Sequence, residues 1–259
     1  MIMKISRWAA FISVAALALP ITAGAASQTI SSGLTRVSLL ELYTSEGCSS
    51  CPPADAWLSK LTQDPRLWAQ LVPVAFHVDY WDNLGWHDPF DKHLYSERQQ
   101  HIADRADNNV IYTPEFVLDG KPQANWYNLG RIRLPDATDA GRLKLVVDGA
   151  RLTASFIPVS SNHKYLELHV AILAFGVNTK VGAGENSGRT LRQDFLVIGY
   201  SKQLLTKSAS GFSSTTQLPP IFKVQATRYA LAAWISQPGD PAPMQSTGDW
   251  LETSPITRP

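Results

Sequence analysis

The chain has only two cysteines, and they stand three residues apart as Cys48-Ser49-Ser50-Cys51. The run before them, residues 37–44, is rich in aliphatic, aromatic and β-branched residues, which is typical of a buried strand. The run after them has apolar residues at helical spacing: Ala54, Trp57, Leu58 and Leu61. The pair is therefore predicted to lie where a strand turns into a helix.

The unpaired N–H groups at a helix N-terminus favour the thiolate form of a nearby cysteine. We therefore predict that Cys48 is the nucleophile in a disulfide-exchange reaction. Cys51, one turn further on, would be the resolving thiol that attacks the mixed disulfide formed at Cys48. On this interpretation the protein is a thiol-disulfide oxidoreductase, and its partner is a protein or a small thiol or disulfide.

Three alternatives compete for the same two cysteines. As a static bridge, the pair would close about four residues and contribute only roughly 2 kcal/mol, against nearly 5 kcal/mol for a loop of about 100 residues. Structural zinc needs more ligands than the pair supplies, so no metal or cofactor is predicted. Two thiolates suffice for copper(I), so a copper-handling protein stays an alternative, as does a non-catalytic interaction protein with a vestigial disulfide.

The first 26 residues predict a secretory signal peptide. Basic Lys4 and Arg7 precede an apolar stretch over residues 8–21, and the small residues 23–26 suit a signal peptidase. The apolar stretch is shorter than the ~20 residues that span a bilayer, so after cleavage the protein is not expected to be an integral membrane protein. We predict a periplasmic or secreted protein. The balance of 23 Lys+Arg against 22 Asp+Glu argues against a nucleic-acid partner.

The pattern changes near residue 135. Residues 27–135 read as β-α-β-α-β-β, whereas residues 136–237 carry alternating runs separated by turn residues, which is typical of an antiparallel sandwich or jelly roll. Residues 238–259 are rich in Pro, Ser and Thr and are predicted to be a surface tail. Residues 182–189 are rich in glycine and are interpreted as a turn between strands.

Three segments carry a resemblance: residues 41–55, residues 77–82 together with Gly85-Trp86, and Thr113-Pro114. With the Cys-x-x-Cys pair they resemble the thioredoxin fold, and they are similar to a bacterial family of secreted thioredoxin-like proteins catalogued as a domain of unknown function, family number 1223. The resemblance implies an α/β thioredoxin-like domain, here followed by an all-β, jelly-roll-like sandwich, and disulfide chemistry. It also implies that Pro114 follows a cis bond and faces the cysteines, so that Thr113 presents its backbone to a substrate.

Four more residues are candidates for the site. Glu41 lies on an otherwise apolar strand face and could move the proton of Cys51; the alternative is a structural hydrogen-bond network. Parallel strands end at the same edge of a sheet, so the loop with Tyr80, Trp81 and Trp86 should emerge beside Cys48 and could bind substrate, unless its rings cap the core. Asp88 is interpreted as the N-cap of a helix that runs to about Asp107.

Overall fold

The fold is described from a computed structural model of the protein. It covers residues 27–106, 109–124, 132–160, 162–252 and 254–255. The predicted signal peptide, residues 1–26, lies outside the described residues. The helices are α1 (Pro52–Ser59) and α2 (His93–Arg105), with 3-10 turns at Lys60–Gln63 and Asp82–Leu84.

The largest element is a mixed sheet of eight strands. In spatial order they are β15 (Gln245–Trp250), β14 (Arg228–Ser236), β8 (Glu167–Phe175), β11 (Leu196–Leu204), β3 (Leu71–His77), β2 (Ser38–Thr44), β4 (Glu115–Leu118) and β5 (Lys121–Pro122). Strand β3 runs parallel to both of its neighbours, β2 and β11, and the other pairs are antiparallel. The carboxyl ends of β2 and β3 therefore meet at one edge of the sheet.

A second sheet is antiparallel throughout. In spatial order its strands are β1 (Gln28–Ser31), β6 (Gly141–Asp148), β7 (Arg151–Pro158), β13 (Gly211–Gln217) and β12 (Thr206–Ser208). A separate hairpin pairs β9 (Val177–Lys180) with β10 (Thr190–Gln193). Its connecting loop, residues 181–189, reaches the cysteines.

The predicted fold class, an α/β thioredoxin-like domain followed by an all-β sandwich, is wrong. Of the residues that the structure describes, 43% are in strands and 13% in helices, so β-sheet dominates. One sheet runs through both predicted parts, because β3 pairs with β11: Ala75 N–H donates to the Phe195 carbonyl at 2.9 Å, and Leu196 lies opposite Ala75. Alternation along a strand determines its buried face and leaves its neighbours open. The division into domains at residues 135/136 stays a prediction.

Two apolar cores lie on opposite faces of the large sheet. Strand β8 contributes to both by alternation: Ala171 and Leu173 belong to the core that α1 and α2 cover, while Val170 and Ile172 belong to the core facing the five-stranded sheet. The segment predicted as a surface tail contributes edge strand β15, whose residues 245–248 are buried. Packing on both faces of the large sheet fixes the carboxyl ends of β2 and β3, next to which the cysteines lie.

Candidate functional site

Cys48 and Cys51 form a disulfide, with their Cα atoms 5.4 Å apart. Cys51 is the N-cap residue of α1, and its carbonyl accepts hydrogen bonds from Ala54 N–H and Asp55 N–H. Cys48 lies one turn earlier, and its carbonyl accepts from Cys51 N–H at 3.2 Å. Both cysteines are 0% exposed. Exposure therefore does not distinguish the two, and the assignment of Cys48 as nucleophile and Cys51 as resolving thiol stays a prediction.

Thr113 and Pro114 lie against the cysteines. The Thr113–Pro114 bond is cis, as the resemblance implied, and it leads directly into β4. The Thr113 carbonyl oxygen is 3.8 Å from Cys48 Sγ. Two segments more than 60 residues apart in the chain thus meet at one sulfur. The roles predicted for Thr113 and Pro114 in substrate alignment stay predictions.

The aromatic loop also reaches this edge of the sheet. A Cβ added to Gly47 would lie 3.3 Å from Trp81 Cβ, so only a residue without a side chain fits there without a shift. Trp86 Nε1–H donates to Glu46 Oε2 at 3.2 Å. Tyr80 instead turns toward α2, where its hydroxyl donates to Gln99 Oε1 at 3.2 Å. Trp81 also packs against the core that α1 and α2 cover. The predicted substrate contacts of these rings therefore stay predictions.

Glu41 makes its hydrogen bonds away from the cysteines. Arg98, on α2, donates from Nε and Nη2 to the two Glu41 carboxylate oxygens at 2.6 and 3.0 Å. The Tyr43 hydroxyl donates to Glu41 Oε2 at 2.8 Å. These contacts form a buried ion pair that ties β2 to α2, in agreement with the structural-network alternative. A proton-transfer role for Glu41 stays a prediction.

Asp88 belongs to the site and does not cap α2. That helix begins at His93, with Lys92 at the N-cap position. Asp88 Oδ2 accepts hydrogen bonds from His77 Nδ1–H at 2.7 Å and from Glu46 N–H at 2.8 Å. His77 and Asp88 are each 1% exposed. The carboxylate thus spans from the end of β3 to the loop before Cys48, which no local spacing in the sequence indicates.

Glu46, Asp55, His77 and Asp88 form a buried polar cluster behind the disulfide. Burial, with a contribution from Asp88, raises the pKa of Glu46 to about 7. Burial likewise raises the pKa of Asp55 to about 6, although its carboxylate accepts a hydrogen bond from Thr44 Oγ1–H at 2.8 Å. Burial alone would lower the pKa of His77, but Asp88, and then Glu46 and Asp55, raise it to about 9. Two carboxyl groups with pKa values near neutrality, Glu46 and Asp55, therefore lie just before and within the first turn of α1.

The loop over residues 181–189 contacts the segment that holds Cys48, a contact that the sequence interpretation missed. The buried Asn186 side chain donates from Nδ2 to the carbonyls of Glu46 and Cys48, at 2.8 and 2.9 Å. Glu185 Oε2 accepts from Ser49 N–H at 3.0 Å. Gly184 has a φ of +71°, and a Cβ there would lie 3.1 Å from Trp86 Cβ. The unusual glycine content was the available signal, because it marks a close approach between two loops.

Among the described residues, one group of side chains has the ligand types and spacing of a metal site. Ligand atoms of Asp82, His87 and Asp91 lie within 4.8 Å of one another, and neither cysteine takes part. The His87 side chain is 78% exposed. No further observation points to an ion there, and the prediction of no metal stays a prediction. Within the described residues, neither helix is long and apolar enough to cross a membrane.

Two solved structures have a similar fold. Protein AGR_C_4864 from Agrobacterium tumefaciens is 22% identical, with a TM-score of 0.54, and the match covers 85% of this chain and 97% of that one. HBP35 of Porphyromonas gingivalis is 14% identical, with a TM-score of 0.52, and the match covers 86% of this chain and 77% of that one. At these identities the likeness concerns the fold alone. No curated protein matches the chain. Residues 39–235 match the family described as "Protein of unknown function (DUF1223)", and the chain belongs to that family.

Proposed function

We propose that this protein is an exported enzyme that catalyses thiol–disulfide exchange at Cys48 and Cys51. The observation that carries the proposal is a Cys-x-x-Cys disulfide at the start of α1, with the Thr113 carbonyl 3.8 Å from one sulfur. A helix N-terminus stabilises a thiolate, and thiolates are both the attacking and the leaving groups of exchange. Export rests on the signal-peptide pattern of residues 1–26.

The reaction has two steps. In the reduced protein, the Cys48 thiolate attacks one sulfur of a substrate disulfide, forms a mixed disulfide, and releases the other substrate sulfur as a thiolate. The Cys51 thiolate then attacks Cys48 Sγ, which re-forms the Cys48–Cys51 disulfide and releases the second substrate thiolate. Two electrons pass from the protein to the substrate, and the released thiolates take up two protons. The reverse sequence oxidises a substrate dithiol.

Access to the disulfide is a second requirement, because both sulfurs belong to residues that are 0% exposed. In the segment from Cys48 to Cys51, the exposed residues are Ser49 and Ser50. An exchange partner therefore reaches Cys48 only when the loop over residues 45–50 moves. The hydrogen bonds from Asn186 and to Glu185 restrain that movement.

The proposal is tested with the mature protein and its Cys48→Ser and Cys51→Ser variants. Cys48→Ser should abolish exchange with a peptide disulfide and with a small disulfide. Cys51→Ser should accumulate a one-to-one mixed disulfide through Cys48, visible by mass spectrometry without reductant. Ser160→Ala, which changes an exposed serine in a different part of the chain, serves as the control and should keep full activity. Full exchange in both cysteine variants, or none in the mature protein, would refute the proposal.

A further inference from the structure

A groove of about 560 Å³ is lined by residues of α2, by Asp79 and Tyr80, and by Ile111. Its size lies within the range of pockets that bind small ligands or a few residues of a peptide. The lining residues that matter below are Asp79, Tyr80, His93, Glu97, Asp104 and Ile111.

Both walls of the groove lead to Cys48. Ile111 stands two residues before Thr113, whose carbonyl oxygen is 3.8 Å from Cys48 Sγ. Tyr80 stands directly before Trp81, which packs against Gly47. Two residues span at most about 7 Å, so a chain lying in the groove can extend to the sulfur.

The groove carries negative charge. Its lining holds three carboxylates and two imidazoles, and no Lys or Arg is among the described residues that line it. Asp79 and His93 pair with each other, because His93 Nδ1 lies 2.9 Å from Asp79 Oδ2. Although partial burial opposes it, hydrogen bonds from Ser96 and His93 hold the pKa of Asp79 below its usual range. His93 Nε2 also lies 3.7 Å from Glu97 Oε1, and Gln100 Nε2–H donates to Asp104 Oδ1 at 2.7 Å. The single His93 imidazole cannot neutralise both Asp79 and Glu97, and Asp104 has only a neutral partner, so the lining keeps a net negative charge.

Exposed apolar side chains flank Ile111 in the chain, beside the groove. Val110 is 55% exposed and Tyr112 is 36% exposed. An acidic wall next to apolar side chains is complementary to a peptide that combines basic and apolar residues.

We propose that this groove binds an extended polypeptide segment with basic side chains on one side of its reacting cysteine. The inference rests on the proposed function and names its substrate class. The carboxylates of Glu97 and Asp104 would contact the basic side chains, while the peptide backbone near the cysteine would lie along Ile111 and Thr113. The exchange step is the one written above, and the groove adds only binding and orientation.

The test uses the reduced, mature protein and three peptides of equal length, each carrying one mixed disulfide flanked by Lys, Gln or Glu. A small neutral disulfide is the fourth substrate. We expect the Lys peptide to react about tenfold faster than the Glu peptide at low salt, since two exposed charges each contribute a few-fold. Near 1 M salt the ratio should fall to about twofold or less, because surface charges are then screened.

Variants locate the charge preference. In Glu97→Gln/Asp104→Asn the Lys-to-Glu rate ratio should fall to about twofold, and in Glu97→Lys/Asp104→Lys it should invert. Asp136→Asn/Asp148→Asn removes two exposed carboxylates elsewhere on the molecule and should leave the ratio unchanged. Unfolding midpoints confirm that each variant is folded.

The outcomes separate the two proposals. If the neutral disulfide reacts but the Lys and Glu peptides react equally, the groove proposal is wrong and the proposed function stands. A preference that survives Glu97→Gln/Asp104→Asn also overturns the groove proposal, because the charge then lies elsewhere. No exchange with any of the four substrates refutes the proposed function itself.

Discussion

The interface between the two sheets and the end of strands β2 and β3 are equally buried but are built from different chemistry. At the sheet interface, side chains from neighbouring strands are apolar, as where Phe156 lies opposite Leu143 and Phe212. At the end of β2 and β3, a histidine, three carboxylates and an asparagine are buried around a disulfide: His77, Glu46, Asp55, Asp88 and Asn186.

The difference separates an apolar region that stabilises the fold from the polar region in which we propose that the exchange reaction takes place. Burial of apolar side chains stabilises the folded protein, whereas burial of ionisable groups destabilises it unless each group has a partner. Each side chain of the polar cluster has at least one such partner, and several of the partners come from distant parts of the chain. Glu46 Oε1 and His77 Nε2 nevertheless have no hydrogen-bond partner within the described residues. A region that keeps so many costly groups beside two cysteines is the natural place for chemistry. The predictions below test this contrast.

The largest effect is expected at the apolar interface. Phe156→Ala should lower the free energy of unfolding by about 3 to 5 kcal/mol, because a fully buried aromatic ring leaves a cavity. Ile157→Ala, next to it on β7 and 59% exposed, should change it by less than about 0.5 kcal/mol. Urea unfolding of the oxidised proteins measures both. Exchange by the folded Phe156→Ala protein should be unaltered, and a large loss of exchange would show that the two regions are not independent.

Asp88→Asn should cost about 3 kcal/mol at pH 7. The buried imidazolium of His77 loses its carboxylate, and a buried ion pair that loses one partner is strongly destabilised. Loss of the proton from His77, whose pKa of about 9 should then fall, limits the cost. Urea unfolding and NMR titration of His77 provide the measurement. If the stability is unchanged and the pKa of His77 stays near 9, the polar cluster does not depend on Asp88.

The pH dependence of stability should depend on Glu46. Its pKa is raised from 4.5 to about 7 in the folded protein, so its contribution is fully present below pH 4.5 and is lost as the pH rises through 7. Glu46→Gln should remove about 2 kcal/mol of this decline. Unfolding free energies at several pH values between 4 and 8 test it, with Glu252→Gln, an exposed carboxylate, as the control. Parallel curves for wild type and Glu46→Gln would contradict the prediction.

The smallest effect on stability is expected from the 181–189 loop. Asn186→Ala leaves the Glu46 and Cys48 carbonyls without their donor and should cost about 1 to 2 kcal/mol. The loop over residues 45–50 should open more often, so the thiols of the reduced variant should react several-fold faster with an alkylating reagent. Ser187→Ala, at an exposed position of the same loop, is the control. Equal alkylation rates in all three proteins would mean that Asn186 does not restrain access to the cysteines.

Much of the local structure was predictable. The change from strand to helix spacing around the cysteines correctly indicated the β2–α1 junction, and the alternating runs predicted within residues 136–237 include β6 and β7. The family was recognisable from the strings around Cys48, Trp81 and Pro114. These features depend on residues close together in the chain, where spacing translates directly into which side chains share a face.

The sequence by itself therefore determined the position of the cysteine pair, the helix that begins at it and the main alternating strands. Only the tertiary structure decided that β11 pairs with β3, so that a single sheet runs through both predicted domains. It also decided that Asp88 and Asn186 form hydrogen bonds with the loop before Cys48. The reason is physical: a strand's alternation fixes its buried face but not its partner, and a polar side chain does not specify, through its neighbours in sequence, which distant backbone group it will meet.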